Sequence, residues 1–295
     1  MKRIAVIVIG SNSTRLLAAD ACEQMTNELR GRVETRLFLG MSSDGSTLSS
    51  DAMHYTAQSV AALKRQAEAS GAQLIGVYAT SASRDAQNSA ALSALIEEAV
   101  GLPLTILSGE EEAAYSFFGA AGLERCGVID IGGGSTEVVL GCGTDIYAAH
   151  SLQLGASRLF KKQPINTSND LPLALSIAKE QIALLPAPLI QHPDIQTFYL
   201  IGGTGTSCAR VLGRSPEGCI LTRSDIEKTL MSIAATPREK RALIPGFPPK
   251  RIDILPTGMA ILLSLFDVLG LNKVQVTERV NADGLLRAYV HKKFA

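Results

Sequence analysis

The feature that most constrains this chain is an internal repeat. Ile7-Val8-Ile9-Gly10-Ser11-Asn12-Ser13-Thr14-Arg15-Leu16-Leu17 aligns with Ile129-Asp130-Ile131-Gly132-Gly133-Gly134-Ser135-Thr136-Glu137-Val138-Val139. Both stretches read as a strand, a turn of small residues and a second strand, so one supersecondary unit occurs twice. Such recurrence predicts two related domains facing each other across a cleft. Length agrees, because 295 residues lie beyond the size at which a single hydrophobic core usually stops growing.

The pattern between the repeats is α/β. Short apolar runs at 4–9, 16–19, 33–39 and 74–79 alternate with helical spacing at about 52–69 and 89–100. After the break Ser42-Ser43-Asp44-Gly45-Ser46, the rhythm continues beyond residue 120. It has runs at 126–131, 137–140 and 197–201 and helical patterns at 170–185, 224–235 and 255–269. The stretch Ile252 to Leu269 contains Asp253, Pro256 and Asp267, and reads as a buried helix rather than a membrane span. The first apolar run, Ile4 to Ile9, is too short for a signal peptide. Acidic and basic residues number 28 each, so no global field gathers nucleic acid or a membrane surface, and a polyanion has to be held locally. Cys22, Cys126, Cys142, Cys208 and Cys219 show no CxxC spacing, which argues against zinc and against a disulfide framework and fits a reducing cytoplasm.

Three small-residue turns follow apolar runs: Gly10-Ser11-Asn12-Ser13, Gly132-Gly133-Gly134-Ser135 and Gly202-Gly203-Thr204-Gly205-Thr206. Consecutive N–H groups in such turns converge on phosphate oxygens, and the third enters a helical segment, whose N-terminus favours anions. Each taken alone also reads as a plain tight turn. Asp130 and Glu137 flank the second turn, where hard oxygen ligands suit Mg²⁺; the plainer reading makes Glu137 a solvent-facing strand residue. Glu110, Glu111 and Glu112 open a helical pattern, which ordinary helix-start chemistry explains, and spacing does not say which one is a general base. Arg84 follows the run at 74–79, placed either to fork a phosphate or to pair with Asp85. The basic stretch Arg238-Glu239-Lys240-Arg241 reads as a solvated loop, and Arg251 stands where a loop meets a helix.

In this order, Ile9-Gly10-Ser11-Asn12-Ser13, Ala79 to Arg84, Ser108 to Ala113, Asp130 to Glu137, Ser151 to Ala156 and Gly203 to Thr206 resemble the exopolyphosphatase and guanosine pentaphosphate phosphohydrolase (Ppx/GppA) family. That family lies in the superfamily of actin, heat-shock ATPases and sugar kinases. The resemblance implies two actin-like, ribonuclease H-like α/β domains with mixed sheets flanking a cleft, at 1–120 plus 284–295 and at 121–283. It implies that Glu112 activates water, that Asp130 and Glu137 attend Mg²⁺ or Mn²⁺, and that Arg84 and Arg251 join the three turns on phosphate. The expected reaction is in-line attack of water on the terminal phosphorus of polyphosphate or guanosine pentaphosphate. Neither nucleic acid nor a membrane is expected as a partner, and a second copy in a C2 homodimer is plausible as a base rate.

Two positions depart from the family pattern. Val8 stands where the family has Asp, and Ala282-Asp283-Gly284 stands for Arg-Glu-Gly. Valine cannot hold a cation, so Val8→Asp is expected to raise Mg²⁺-dependent phosphate release. A catalytically weak polyphosphate or alarmone sensor, and an ATP-dependent kinase of the same superfamily, are the competing classes.

Overall fold

The computed structural model describes residues 2–21, 25–192 and 194–294, and Cys22 lies outside them. It divides into two compact units, Met1–Gly119 with Asn281–Ala295, and Ala120–Val280.

In the first unit, β1 (Arg3–Ile9) is apolar and buried on both faces from Ile4 onward, as suits a central strand. The hairpin partner β2 (Thr14–Asp20) and then β3 (Thr26–Val33) continue the sheet antiparallel on one side. After α1 (Ser50–Ala69), strand β4 (Gln73–Ala79) joins the other side of β1 in parallel, which requires a crossover such as that helix. Helices α2 (Ser81–Asp85) and α3 (Ser89–Val100) lead to the parallel strand β5 (Leu104–Ile106), and α4 (Gly109–Ala120) closes this part of the chain. Side chains of α1 and α3 and one face of the sheet, including Ile7, Ile9, Leu16, Val60, Leu63, Leu92 and Ile96, form the core.

The second unit repeats the pairing. β6 (Arg125–Ile131), β7 (Thr136–Cys142) and β8 (Asp145–Leu152) run antiparallel in succession. After α5 (Ala156–Lys162), α6 (Leu171–Ile182) and α7 (Ala187–Ile190), strand β9 (Phe198–Ile201) pairs with β6 in parallel. Helix α8 (Gly203–Val211), strand β10 (Ile220–Thr222) and helices α9 (Arg223–Ala235) and α10 (Ile254–Leu269) precede β11 (Lys273–Val276), which pairs in parallel with β9 and antiparallel with β10. The sheet orders are β3-β2-β1-β4-β5 and β8-β7-β6-β9-β11-β10, identical except for the added edge strand. The α/β reading therefore holds, and the internal repeat is a repeat of strand connectivity. Helix α10 is buried almost throughout, as its composition requires, and no helix among the described residues is long and apolar enough to cross a membrane. The last helix, α11 (Asn281–Phe294), packs on β1 and β2.

Two expectations are corrected. The apolar run at 33–39 is not a strand; β3 is the more polar segment before it. Arg36 takes φ +50°, and the N–H groups of Arg36 and Phe38 bond the carbonyls of Asn12 and Ser11, so Leu37 and Phe38 turn into the core instead of pairing. The stretch at 238–241 is not wholly solvated either. Arg241 is 1% exposed and donates to the carbonyls of Ile233, Thr236 and Asn166, covering the C-terminus of α9, where a cation is favoured.

Candidate functional site

The first two turns have one geometry. Gly10 N–H donates to the Ser13 carbonyl at 3.0 Å, and Gly132 N–H donates to the Ser135 carbonyl at 3.0 Å. A Cβ at either glycine would press on that same carbonyl. The neighbouring carbonyls are also engaged. In the first turn, Ser11 and Asn12 C=O accept from Phe38 and Arg36; in the second, Gly132 and Gly133 C=O accept from backbone N–H groups at the start of α5, and Gly134 C=O accepts from Arg158 Nε at 2.6 Å. In a trans peptide N–H opposes C=O. The N–H groups of Asn12 and Ser13, and of Gly133, Gly134 and Ser135, therefore all point away from those supports, which is the arrangement an anion cradle needs.

In the first unit, Ser11 Oγ accepts from Ala82 N–H at 3.1 Å, tying the turn to the segment that carries Arg84. Arg84 Nη1 donates to Glu112 Oε2 at 3.0 Å and to the Leu107 carbonyl, rather than pairing with Asp85. The three glutamates separate by role. Glu110 is exposed, Glu111 exchanges hydrogen bonds with Ser108 to cap α4, and Glu112 is 6% exposed. Asn12 gives its amide nitrogen to Glu34 Oε2 at 2.5 Å, which turns its carbonyl oxygen the other way. That Asn12 Oδ1, Ser83 Oγ and Arg84 Nη2 are buried without a partner among the described residues.

In the second unit, Asp130 and Glu137 stand opposite each other across β6 and β7 and so share a sheet face. Glu137 is 1% exposed and accepts from Ser151 Oγ at 2.7 Å, so it is not a solvent-facing strand residue. At the third turn, Gly202 takes φ +88° and caps α8. A Cβ at Gly202 would meet Asp130 Oδ1, and one at Gly203 would occupy the position of the buried Arg251 guanidinium. The side chains of the next residues serve packing. Thr204 Oγ1 lies against Gly258 of α10, the glycine at 205 lets α8 approach Leu200, and Thr206 bonds back to the Gly202 and Gly203 carbonyls. Backbone N–H groups are what this turn offers a ligand, together with Thr204 Oγ1, which is buried without a hydrogen-bond partner among the described residues.

The model of the Ppx/GppA phosphatase family matches residues 18–293. The chain belongs to that family. Among curated proteins it is 27% identical to the guanosine-5'-triphosphate,3'-diphosphate pyrophosphatase of Vibrio cholerae serotype O1, over 96% of this chain and 58% of that one, and equally to the Vibrio parahaemolyticus protein of the same name. This Ppx/GppA chain therefore spans a little over half the length of those relatives. The crystal structure of the Aquifex aeolicus Ppx/GppA family member shares the fold, with TM-score 0.81, 24% identity and coverage of 100% and 99%. So does an exopolyphosphatase from Cytophaga hutchinsonii, with TM-score 0.85, 19% identity and coverage of 99% and 98%.

Two supporting residues carried no sequence signal, and Ser151, though within a segment that carried the resemblance, was given no role there. Ser151 and Arg158 are distant in sequence from the groups they hold, and Glu34 lies in a segment that reads as strand. In the Ala282-Asp283-Gly284 segment of this Ppx/GppA chain, the acid and the glycine dock α11. Asp283 is fully buried and takes both Nη1 and Nη2 of Arg30, and Gly284 lies on the Tyr115 carbonyl of α4.

Proposed function

We propose that this Ppx/GppA chain hydrolyses the terminal phosphoanhydride bond of polyphosphate or of guanosine pentaphosphate. The observation that carries the reading is Glu112, a buried carboxylate fixed by Arg84 in the unit that holds the first cradle. A base so held can take the proton of an attacking water, and the proton leaves later with solvent or product. The bond formed joins the water oxygen to the terminal phosphorus, and the bond broken releases the chain shortened by one phosphate. Arg84 Nη2, buried and without a protein partner among the described residues, is a donor suited to an equatorial phosphate oxygen. In each unit the cradle offers donors suited to phosphate oxygens: the N–H groups of Asn12 and Ser13 in the first, and those of Gly133, Gly134 and Ser135 with the Arg251 guanidinium in the second.

Asp130 and Glu137 fit a small hard cation. They are two oxygen donors on one face, the second oriented by Ser151, and Mg²⁺ commonly takes one or two carboxylates together with phosphate oxygens and water. Bound there, Mg²⁺ or Mn²⁺ would neutralise charge on the phosphates. A binding protein with little turnover is the second reading, favoured by Val8, which puts no carboxylate in the first unit at the place of Asp130.

Phosphate release from long-chain polyphosphate and from guanosine pentaphosphate, with and without Mg²⁺, tests the proposal. Release should require Mg²⁺ and fall by a factor of about 10² or more in Glu112→Ala. Unchanged release in that variant removes Glu112 as base; tight binding of either substrate with no release by the wild type selects the second reading.

A further inference from the structure

The second cradle is braced from behind, carbonyl by carbonyl. Gly132 C=O accepts from Ala156 N–H at 2.9 Å, and Gly133 C=O accepts from Ser157 and Arg158 N–H at 2.8 and 3.0 Å. Gly134 C=O, the last of the row, accepts from a side chain instead, Arg158 Nε at 2.6 Å. The brace is close and fixed. A Cβ at Gly155 would collide with the Gly133 carbonyl, and the buried Thr257 of α10 donates to the Ala156 carbonyl at 2.7 Å. In the first cradle the donors in this place are the backbone N–H groups of Phe38 and Arg36. The second cradle adds a cation to its support.

We infer that Arg158 is a positioning residue for phosphate binding: by holding Gly134 C=O it aims the Ser135 N–H into the cradle. This rests on the proposed function and assigns a residue which that reading leaves out. The peptide joining Gly134 to Ser135 is a rigid plane in which C=O and N–H point opposite ways, so fixing one end fixes the other. Glycine at 134 makes such a hold necessary, because a residue without a Cβ lets its peptide planes turn over at little cost. The bond does more than orient. A guanidinium on the carbonyl draws electron density through the peptide and makes the N–H at its far end a stronger donor. Arg158 thus acts on phosphate at one remove, and the backbone bonds that hold Gly132 and Gly133 C=O do not depend on its side chain.

The test follows inorganic tripolyphosphate binding by calorimetry and the cradle amides by nuclear magnetic resonance, in the wild type, Arg158→Gln and Arg158→Lys. Carbonyl-¹³C glycine with ¹⁵N-serine picks out the peptides Gly10-Ser11, Gly45-Ser46 and Gly134-Ser135. Ser46 N–H is bonded within its own loop and serves as the reference. In the wild type, tripolyphosphate should move the Ser135 amide signal downfield and leave Ser46 in place. In Arg158→Gln, affinity should fall about tenfold, the loss of one charge-assisted bond, and the Ser135 shift should disappear. The Gly133 and Gly134 amides, read with ¹⁵N-glycine, should still respond, because the carbonyls opposite them keep their backbone donors. Arg158→Lys, which keeps a cationic donor, should recover part of the affinity and of the Ser135 shift. Equal affinity in a folded Arg158→Gln, a Ser135 shift that survives the loss of affinity, or loss of all three cradle responses together each overturns the inference and leaves the proposed hydrolysis standing. So does a wild type that binds tripolyphosphate with Ser135 unmoved, which needs no variant to fold. A wild type that binds no tripolyphosphate removes both.

Discussion

At the scale of single residues, the informative side chains are polar groups held where water is excluded. Glu112 and Arg84 neutralise each other at the site, whereas Arg241 is held by three backbone carbonyls. Burial, and then the nearby Arg238, lowers its affinity for the proton, yet a guanidinium remains charged at any working pH. Arg241→Ala should therefore destabilise the protein by about 3 kcal/mol, because it strands buried acceptors and opens a cavity. Urea denaturation checks this, with Arg241→Lys expected to recover part of the loss. Burial likewise pushes the thiols of Cys126 and Cys208 up to about 11 and about 12, so neither is a ready nucleophile near neutral pH.

At the scale of elements, helix ends explain much of the local order. Thr222 and Asp225 exchange hydrogen bonds as a capping box at the start of α9, and Arg214 holds Asp225 from outside. The hydrogen bond from Arg214 and then those from Thr222 outweigh desolvation and bring the Asp225 carboxyl to about 2, below its ordinary 3.8. The unfolded chain therefore takes up the proton first as pH falls. This group's contribution is complete above pH 3.8 and is lost as pH drops through about 2. Asp225→Asn should be less stable than wild type at pH 7, and the two should converge in denaturation curves recorded toward pH 2. A constant difference across that range would show that the cap does not depend on ionisation.

At the scale of the whole molecule, the two units are two copies of one strand plan with different attachments. The first is completed by a helix from the far end of the sequence. Helix α11 carries Asp283 to Arg30 of β3, lays Gly284 on the Tyr115 carbonyl of α4, and donates from Arg287 to the Phe118 carbonyl. Because α4 also bears Glu112, a change at α11 acts on the candidate base through α4. Gly284→Ala should push α11 off α4, lower stability by about 1–3 kcal/mol, and speed amide exchange in α4. Exchange confined to α11 would show that α4 stands without it.

The sequence by itself determined the α/β class, the repeat and the three turns, because small residues after apolar runs are a local signal of strand ends. It also brought Glu112, Arg84, Asp130 and Glu137 into view as residue types in order. Spacing did not separate Glu112 from Glu110 and Glu111, since all three satisfy a helix start equally, and the family resemblance alone pointed to Glu112; the packing of α4 against Arg84 buries that one. The polar strand β3 and the buried Arg241 escaped a reading by hydrophobic pattern, because edge position and carbonyl acceptors from distant segments justify them. What tertiary structure alone decided is which side chain stands opposite Val8. Its neighbour across the strand is Arg15, a fact of register rather than of composition, and register sets which charges meet.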